Sequence, residues 1–218
     1  MFKIAISAEE IGSLPLASFP GEIHVIESLG EEFGKAVSYL KKQKLIGFDT
    51  ESRPTFSPDQ PSYGTSLLQL SSGDQAFLFR IKKMGKFPRR LAAILANPSI
   101  TKVGAAIQDD IRGLQKYAGF QPQSFVDLQK IGWEYGIRDK GVKKMAAIIL
   151  GIKISKAQQL SNWEAESLSV SQQKYAATDA WVCREMYLRL LGSEKHPLSF
   201  EELHPELQQQ QQEQSNNG

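Results

Sequence analysis

Leu45-Ile-Gly-Phe-Asp-Thr-Glu51 decides how the chain is read. Leu45 to Phe48 form a short, nearly continuous apolar run, the pattern of a strand covered on both sides. Two acids, Asp49 and Glu51, follow directly. Residues two apart in a strand point to the same face with α-carbons about 6.6–6.8 Å apart. A strand continuing through them therefore aims both carboxylates at one volume. Such a pair repels and loses hydration, and a hard divalent cation, with its preference for oxygen ligands, relieves both penalties. The plain alternative is that the strand ends at Phe48 and both acids face water.

Around this stretch the apolar period changes repeatedly. Ile23, Val25 and Ile26 predict a strand, and Glu31 to Lys42 a helix with Phe33, Ala36, Val37 and Leu40 on one face. Ser66-Leu-Leu-Gln-Leu-Ser71 and Gln75-Ala-Phe-Leu-Phe79 read as a strand pair turning at Ser72-Gly-Asp74. A helix near Pro88 to Ala96 leads to a strand at Ile100 to Gly104. Helices follow near 109–118, 127–135, 141–150 and 169–191. Early strands with interleaved helices, then a helical second half, predict an α/β fold: a mixed sheet of five to six strands flanked by helices.

The 218 residues are 41% hydrophobic and 23% charged, an ordinary globular composition that excludes collagen-like, coiled-coil and wholly disordered classes. Lys and Arg number 26 against 24 acids, a net charge of +2, so there is no global basic field for holding nucleic acid and any anionic partner must be gripped by local patches. The one cysteine, Cys183, supports neither a disulfide framework nor a thiolate metal site, and is expected in the core. His24, His196 and His204 are too scattered for a metal site. No apolar stretch is long enough for a membrane helix, and the start of the chain lacks a signal-peptide core. The expectation is a cytoplasmic protein with no membrane partner. Residues 1–20 read as an N-terminal extension with a capping box at Ser7 and Glu10. Residues 21–193 read as one domain, and 194–218, ending in a glutamine-rich tract, as a tail expected to be disordered.

Two further acids lie where the pattern predicts packing. On the helix expected from a Ser169/Gln172 capping box, Tyr175, Asp179, Val182, Cys183, Met186 and Leu190 share one side. Asp179 is an acid in an apolar stripe, and Tyr175, one turn away at about 6 Å, can address the same volume. The alternative is an aspartate bonded to buried backbone or an arginine, with the tyrosine as packing. Asp109 and Asp110 open the helix after the Gly104 strand end, where an acid has a ready structural task at the helix N-terminus.

Taken in order, Phe48-Asp-Thr-Glu51, then Gly104 followed by Asp110 and Leu114, then Tyr175-Ala-Ala-Thr-Asp179, resemble the three motifs of the DEDD superfamily of 3′→5′ exonucleases, in the tyrosine branch. Ser161-Asn-Trp163 and Leu168 to Tyr175 add similarity to ribonuclease D and the Werner-type exonuclease domain. The resemblance covers residues 21–193. No helicase segment and no helical nucleic-acid-binding module is read beside it, and the assignment of Asp110 over Asp109 rests on register with the family's glycine.

The resemblance implies a ribonuclease-H-like fold that hydrolyses the terminal phosphodiester at a nucleic-acid 3′ end with two divalent ions, Mg²⁺ or Mn²⁺, releasing 5′-mononucleotides. By carry-over, Asp49 bridges both ions, Glu51 and Asp179 hold the first, and Asp110 holds the second largely through water. Tyr175, with Glu51, orients the attacking water. A phenol of ordinary pKa near 10 is a poor base at neutral pH, so positioning is the role expected of it. Substrate grip is expected from local cations. Arg80 to Arg90 holds six basic residues, read as a solvated surface, and Arg138 to Lys156 holds six against Asp139, read as substrate-facing with Lys156 as the lead residue. Tyr63 and Leu67 are placed against the terminal base, and Trp163 is expected to be a packing anchor. The rival readings are a catalytically inactive nucleic-acid-binding protein and a structure-specific endonuclease of the same fold.

Overall fold

The computed structural model describes residues 1–54 and 63–205. Six strands form one mixed sheet: β1 (Glu22–Ile26), β2 (Leu45–Ser52), β3 (Thr65–Ser71), β4 (Gln75–Arg80), β5 (Thr101–Gly104) and β6 (Phe125–Asp127). Their order across the sheet is β1-β4-β3-β2-β5-β6. β1 pairs parallel to β4, and β2, β5 and β6 are mutually parallel, while β3 runs against both of its neighbours. This is the α/β architecture expected from the sequence. The three-residue β6 was not anticipated, because it is too short to carry a period and all three of its residues are only half-buried.

β2 does not stop at Phe48. It runs to Ser52 and stays in antiparallel register with β3, pairing Asp49 with Gln69 and Glu51 with Leu67. The acids are therefore strand residues at the carboxyl end of a central strand, and the reading in which both simply face water is corrected. Open α/β sheets place ligands at this edge.

The alternation of β2 divides the molecule. Ile46 and Phe48 enter an apolar core shared with α2 (Glu31–Leu40), α3 (Arg89–Leu95) and α4 (Gln108–Gln115). Gly47 faces the other side, beneath α7 (Val170–Leu191). A β-carbon on Gly47 would lie 1.8 Å from the Ala180 carbonyl oxygen, so only glycine permits this strand–helix approach. α7 contributes small side chains there, with Ala176, Ala177 and Ala180 fully buried. Its start is fixed by the expected capping box between Ser169 and Gln172. Packed beside it is α6 (Val142–Leu150), with Met145 and Ile149 buried against Val182, Met186 and Leu190. No helix among the described residues is long and apolar enough to cross a membrane.

The segments flanking this body, residues 1–20 and 194–205, are held against it. α1 (Ala8–Ser13) carries its capping box, and Leu16 bridges to Lys153. Residues 194–205 were expected to begin a disordered tail, and here the structure differs. Leu198 is buried with its N–H donated to Trp133, and Lys195 pairs with Glu134. α8 (Phe200–Leu203) follows, opened by a capping box of Ser199 and Glu202. The glutamine-rich stretch beyond it lies outside the described residues. Between α4 and α6, β6 leads into α5 (Leu128–Ile131) and a 3₁₀ turn at Gly132–Tyr135.

Candidate active site

Asp49 and Glu51 leave the end of β2 on the α7 face, and Asp179 descends from α7 to meet them. Carboxylate oxygens of the three lie within 4.8 Å of one another. Burial and mutual repulsion act together on this trio. Asp49 is pushed well above the usual carboxylate range by loss of hydration, then by Asp179, Glu51 and Asp110 in turn. Burial raises Glu51 to about 9, with Asp179 and Asp110 adding to it. Burial also raises Asp179, to about 7, although a hydrogen bond from Tyr175 and the charge of Lys143 oppose the rise. No Lys or Arg side chain forms an ion pair with any of the three among the described residues. Oxygen-only donors, converging without an ion-paired cation among the described residues, are the set that a hard divalent cation fits.

Asp110 joins from the other side of the strand. Thr50 lies between the two β2 acids and so points away from them, toward α4. Its hydroxyl donates to Asp110 Oδ1 at 2.5 Å. Burial raises the Asp110 carboxyl, and the Thr50 hydrogen bond pulls against that. Asp110 thus stands outside the close trio while still acting on Asp49 and Glu51 through its charge. The neighbouring Asp109 is 92% exposed at its side chain and pairs with Arg112, one turn on, at 3.2 Å. Adjacent aspartates therefore have different fates, and Asp110 is the one whose charge reaches the acidic trio. The turn feeding α4 is held by a further acid. Asp127 accepts from the N–H of Ala106, a residue with φ of 59°, while also capping α5 through Gln129. Holding a non-glycine residue in that left-handed conformation takes such local support.

Tyr175 lies one turn before Asp179, and its phenol is close enough to act on that carboxylate. Burial and the surrounding acids push its pKa far upward, so the phenol stays protonated. Its ring packs on Trp163 at 6.0 Å between centroids, and Trp163 is fully buried as the expected anchor.

A cavity of about 520 Å³ opens on Asp49, Tyr175 and Asp179, with Lys143 and Lys156 on its walls. Lys143 opens α6 and has its pKa lowered by burial and by Lys156, while Asp179 draws it upward. Sequence reading counted Lys143 within a basic segment without singling it out. The one acid of that segment, Asp139, is occupied by the Ile6 N–H and by Lys144.

Other expectations change. Leu67 has no exposed surface, being enclosed with Trp163 and Leu78, so it has nothing to offer a base and serves as the floor of the Tyr175 side. Tyr63 remains partly open, with the Arg53 guanidinium 4.6 Å and the Lys82 ammonium 5.8 Å from its ring centre. The Arg80–Arg90 segment is not simply a solvated surface. Arg80 is buried, ion-paired to Glu27 and bonded to the carbonyls of Ala165 and Glu166. Lys82 and Lys83 pair with Glu164 and Glu166, so these cations tie down the loop that carries Trp163. Thr50 was missed, though strand alternation around Asp49 and Glu51 was enough to send it to the opposite face.

A profile of the 3′-5′ exonuclease family matches residues 27–192. The chain is 34% identical over 150 residues to exonuclease 3′-5′ domain-containing protein 2 of Drosophila melanogaster, covering 67% of this chain and 25% of that protein. It is 30% identical over 185 residues to the bifunctional 3′-5′ exonuclease/ATP-dependent helicase WRN of Mus musculus, covering 82% of this chain and 13% of that one. With ribonuclease D of Gluconacetobacter diazotrophicus the identity is 28% over 178 residues, 80% of this chain and 44% of the other. The chain therefore spans less than half the length of each of these relatives. Among solved structures, Escherichia coli RNase D superposes with a TM-score of 0.69 at 26% identity, over 78% of this chain and 44% of that one. The Aedes aegypti Nibbler EXO domain shares the fold at a TM-score of 0.69 and 22% identity, over 88% and 94% of the two chains. The six-stranded sheet is thus of the ribonuclease-H-like type. With the profile running from the end of β1 to the end of α7 across all three acidic motifs, the chain belongs to the 3′-5′ exonuclease family.

Proposed function

We propose that the chain hydrolyses the terminal phosphodiester of a nucleic acid from its 3′ end, one nucleotide at a time, releasing 5′-mononucleotides in a reaction that depends on divalent metal. The observation that carries the reading is the convergence of Asp49, Glu51 and Asp179, with Asp110 beside them and no ion-paired Lys or Arg on the trio among the described residues. When bound, two divalent ions, Mg²⁺ or Mn²⁺, activate water for attack and stabilise charge on the leaving 3′ oxygen. Asp49, close to Glu51 and Asp179 and within reach of the charge of Asp110, would be the ligand common to both ions. Glu51 and Asp179 would hold one ion, and Asp110, with one oxygen committed to Thr50, would serve the other largely through water.

Tyr175 remains a phenol, so it cannot remove the proton of the attacking water; with Glu51 it orients that water. Lys143 and Lys156 hold phosphate at the cavity wall, which gives sequence-independent, salt-dependent binding. Tyr63, a partly open aromatic, would take the terminal base. A module that only bound nucleic acid would gain nothing from carboxylates presented to phosphate, which disfavours an inactive protein of this fold.

The test is release of mononucleotides from a 3′-labelled strand, compared with and without Mg²⁺ or Mn²⁺. Asp179→Ala is expected to abolish release while leaving melting in metal-free buffer unimpaired. Wild-type turnover in that variant overturns the assignment, and a ladder of internal fragments indicates endonuclease action instead.

A further inference from the structure

A second cavity, of about 340 Å³, adjoins the first and shares Ser155, Tyr175 and Asp179 with it. Its opposite wall is built by residues 16–18, which precede the segment matched by the family profile. That wall is fixed at several points. Lys153 N–H donates to the Pro15 carbonyl, Ala17 N–H to the Lys153 carbonyl, and Phe19 N–H to the Thr178 hydroxyl, each at 2.9 Å. The lysine side chain of Lys153 reaches back to Gly12 at 2.5 Å. The strap is thus a built wall between two fixed strips of backbone.

What lines the cavity is chemically mixed. Lys174 projects from the first turns of α7, is exposed, and forms no ion pair with the described residues. Ser18 and Ser171 add hydroxyls. Leu16 stands at the rim with 67% of its surface exposed, an apolar side chain that the core does not use. One free cation, hydroxyl groups and an apolar surface are complements of phosphate, sugar and base. The cavity meets the carboxylates through Tyr175 and Asp179, so a strand whose end occupies the first cavity has its continuation at hand.

We propose that this cavity is a subsite for a nucleotide beyond the terminal one, with Lys174 on its phosphate and the strap residue Leu16 against its base or sugar. The proposal rests on the exonuclease reading, and it adds a binding element from outside the matched family segment. The experiment compares two substrates: a p-nitrophenyl ester of thymidine 5′-monophosphate, which has no second nucleotide, and single-stranded oligonucleotides of two to eight units. Both substrates are given to the wild type, Lys174→Ala and Leu16→Ala, with Lys41→Ala on the opposite face of the sheet as a charge-matched control.

For Lys174→Ala the ratio of kcat/KM on an octamer to kcat/KM on the ester is expected to fall about tenfold, with a salt dependence on the octamer shallower by about one ion. Leu16→Ala lowers the same ratio without changing the salt slope. An unchanged ratio in both variants, with both substrates cleaved, overturns the subsite alone. If the wild type cleaves neither substrate, the exonuclease reading falls, and the subsite with it.

Discussion

Phe48 and Asp49 are neighbours on one strand, yet they belong to opposite economies of the fold. Phe48 is fully buried among aromatic and aliphatic side chains, its ring edge-on to Phe125 at 5.2 Å. Asp49 faces Glu51 and Asp179 from the other side of the sheet, with its carboxyl pushed up by burial and repulsion. The α2–α3–α4 side gains free energy from almost every contact it makes. The carboxyl end of the α7 side gives some of it back, because carboxyls are gathered there with no ion pair among the described residues. Strain of that kind is kept where the chemistry needs it.

The comparison can be broken most severely by exchanging the two consequences. Asp49→Asn is expected to lower kcat by about a thousandfold or more, the scale for removing one transition-state stabilising group. The same variant should melt no lower than wild type in chelator, since a source of repulsion has gone. Phe48→Ala should do the reverse, costing about 3–5 kcal/mol of stability while the molecules still folded at low temperature keep most of their turnover. Chemical denaturation and single-turnover assays on the same preparations decide it. Loss of stability in Asp49→Asn would mean that the carboxylate is a structural partner after all.

A finer cut falls at Thr50, whose hydroxyl joins the two sides by fixing Asp110. Thr50→Val keeps the shape and removes the hydrogen bond. Residues that orient a metal-binding group are typically worth about 10–100-fold in metal affinity or activity. The expected signature is a rise of that order in the Mn²⁺ concentration needed for half-maximal rate, with the melting temperature nearly unmoved. An unaltered metal dependence would show that Asp110 needs no such support.

The same division explains what was legible in the sequence. Phe33, Ala36, Val37 and Leu40 announce their helix face because apolar periodicity is a local signal, and the Ser169–Gln172 capping box fixes the start of α7 for the same reason. Asp49, Glu51 and Asp179 could be picked out because an acid breaks such a pattern. Asp110 was chosen over Asp109 by register with the family's glycine, whereas the Thr50 contact that separates the two in the fold is a tertiary fact. The roles of Arg80 and Leu67 were hidden for a related reason, since a basic run or a strand leucine reads alike whether its partners are solvent, substrate or protein. The strap at residues 16–18 was invisible as a wall because its partners, Lys153 and Thr178, lie far along the chain.

The smallest expected effect is a pH dependence confined to the α7 side. Glu51 sits near 9 against an ordinary value of 4.5, and Asp179 near 7 against 3.8. Groups raised in the folded state favour folding while they remain protonated. Their contribution is therefore complete below the unfolded-state values, near pH 4, and is lost as pH climbs through 7 toward 9. Divalent metal acts in the opposite direction, because it binds the deprotonated carboxylates and displaces their protons. The rise in melting temperature on adding Mn²⁺ should accordingly be small at pH 5 and exceed about 4 °C at pH 8, where one kcal/mol moves a protein of this size by about 2–4 °C. Asp49→Asn should flatten this difference, whereas Phe48→Ala should lower both curves and leave their separation intact. Equal metal-induced shifts at the two pH values would mean that the carboxylates are already ionised in the free protein, and that the acids on the α7 side are better neutralised than their setting implies.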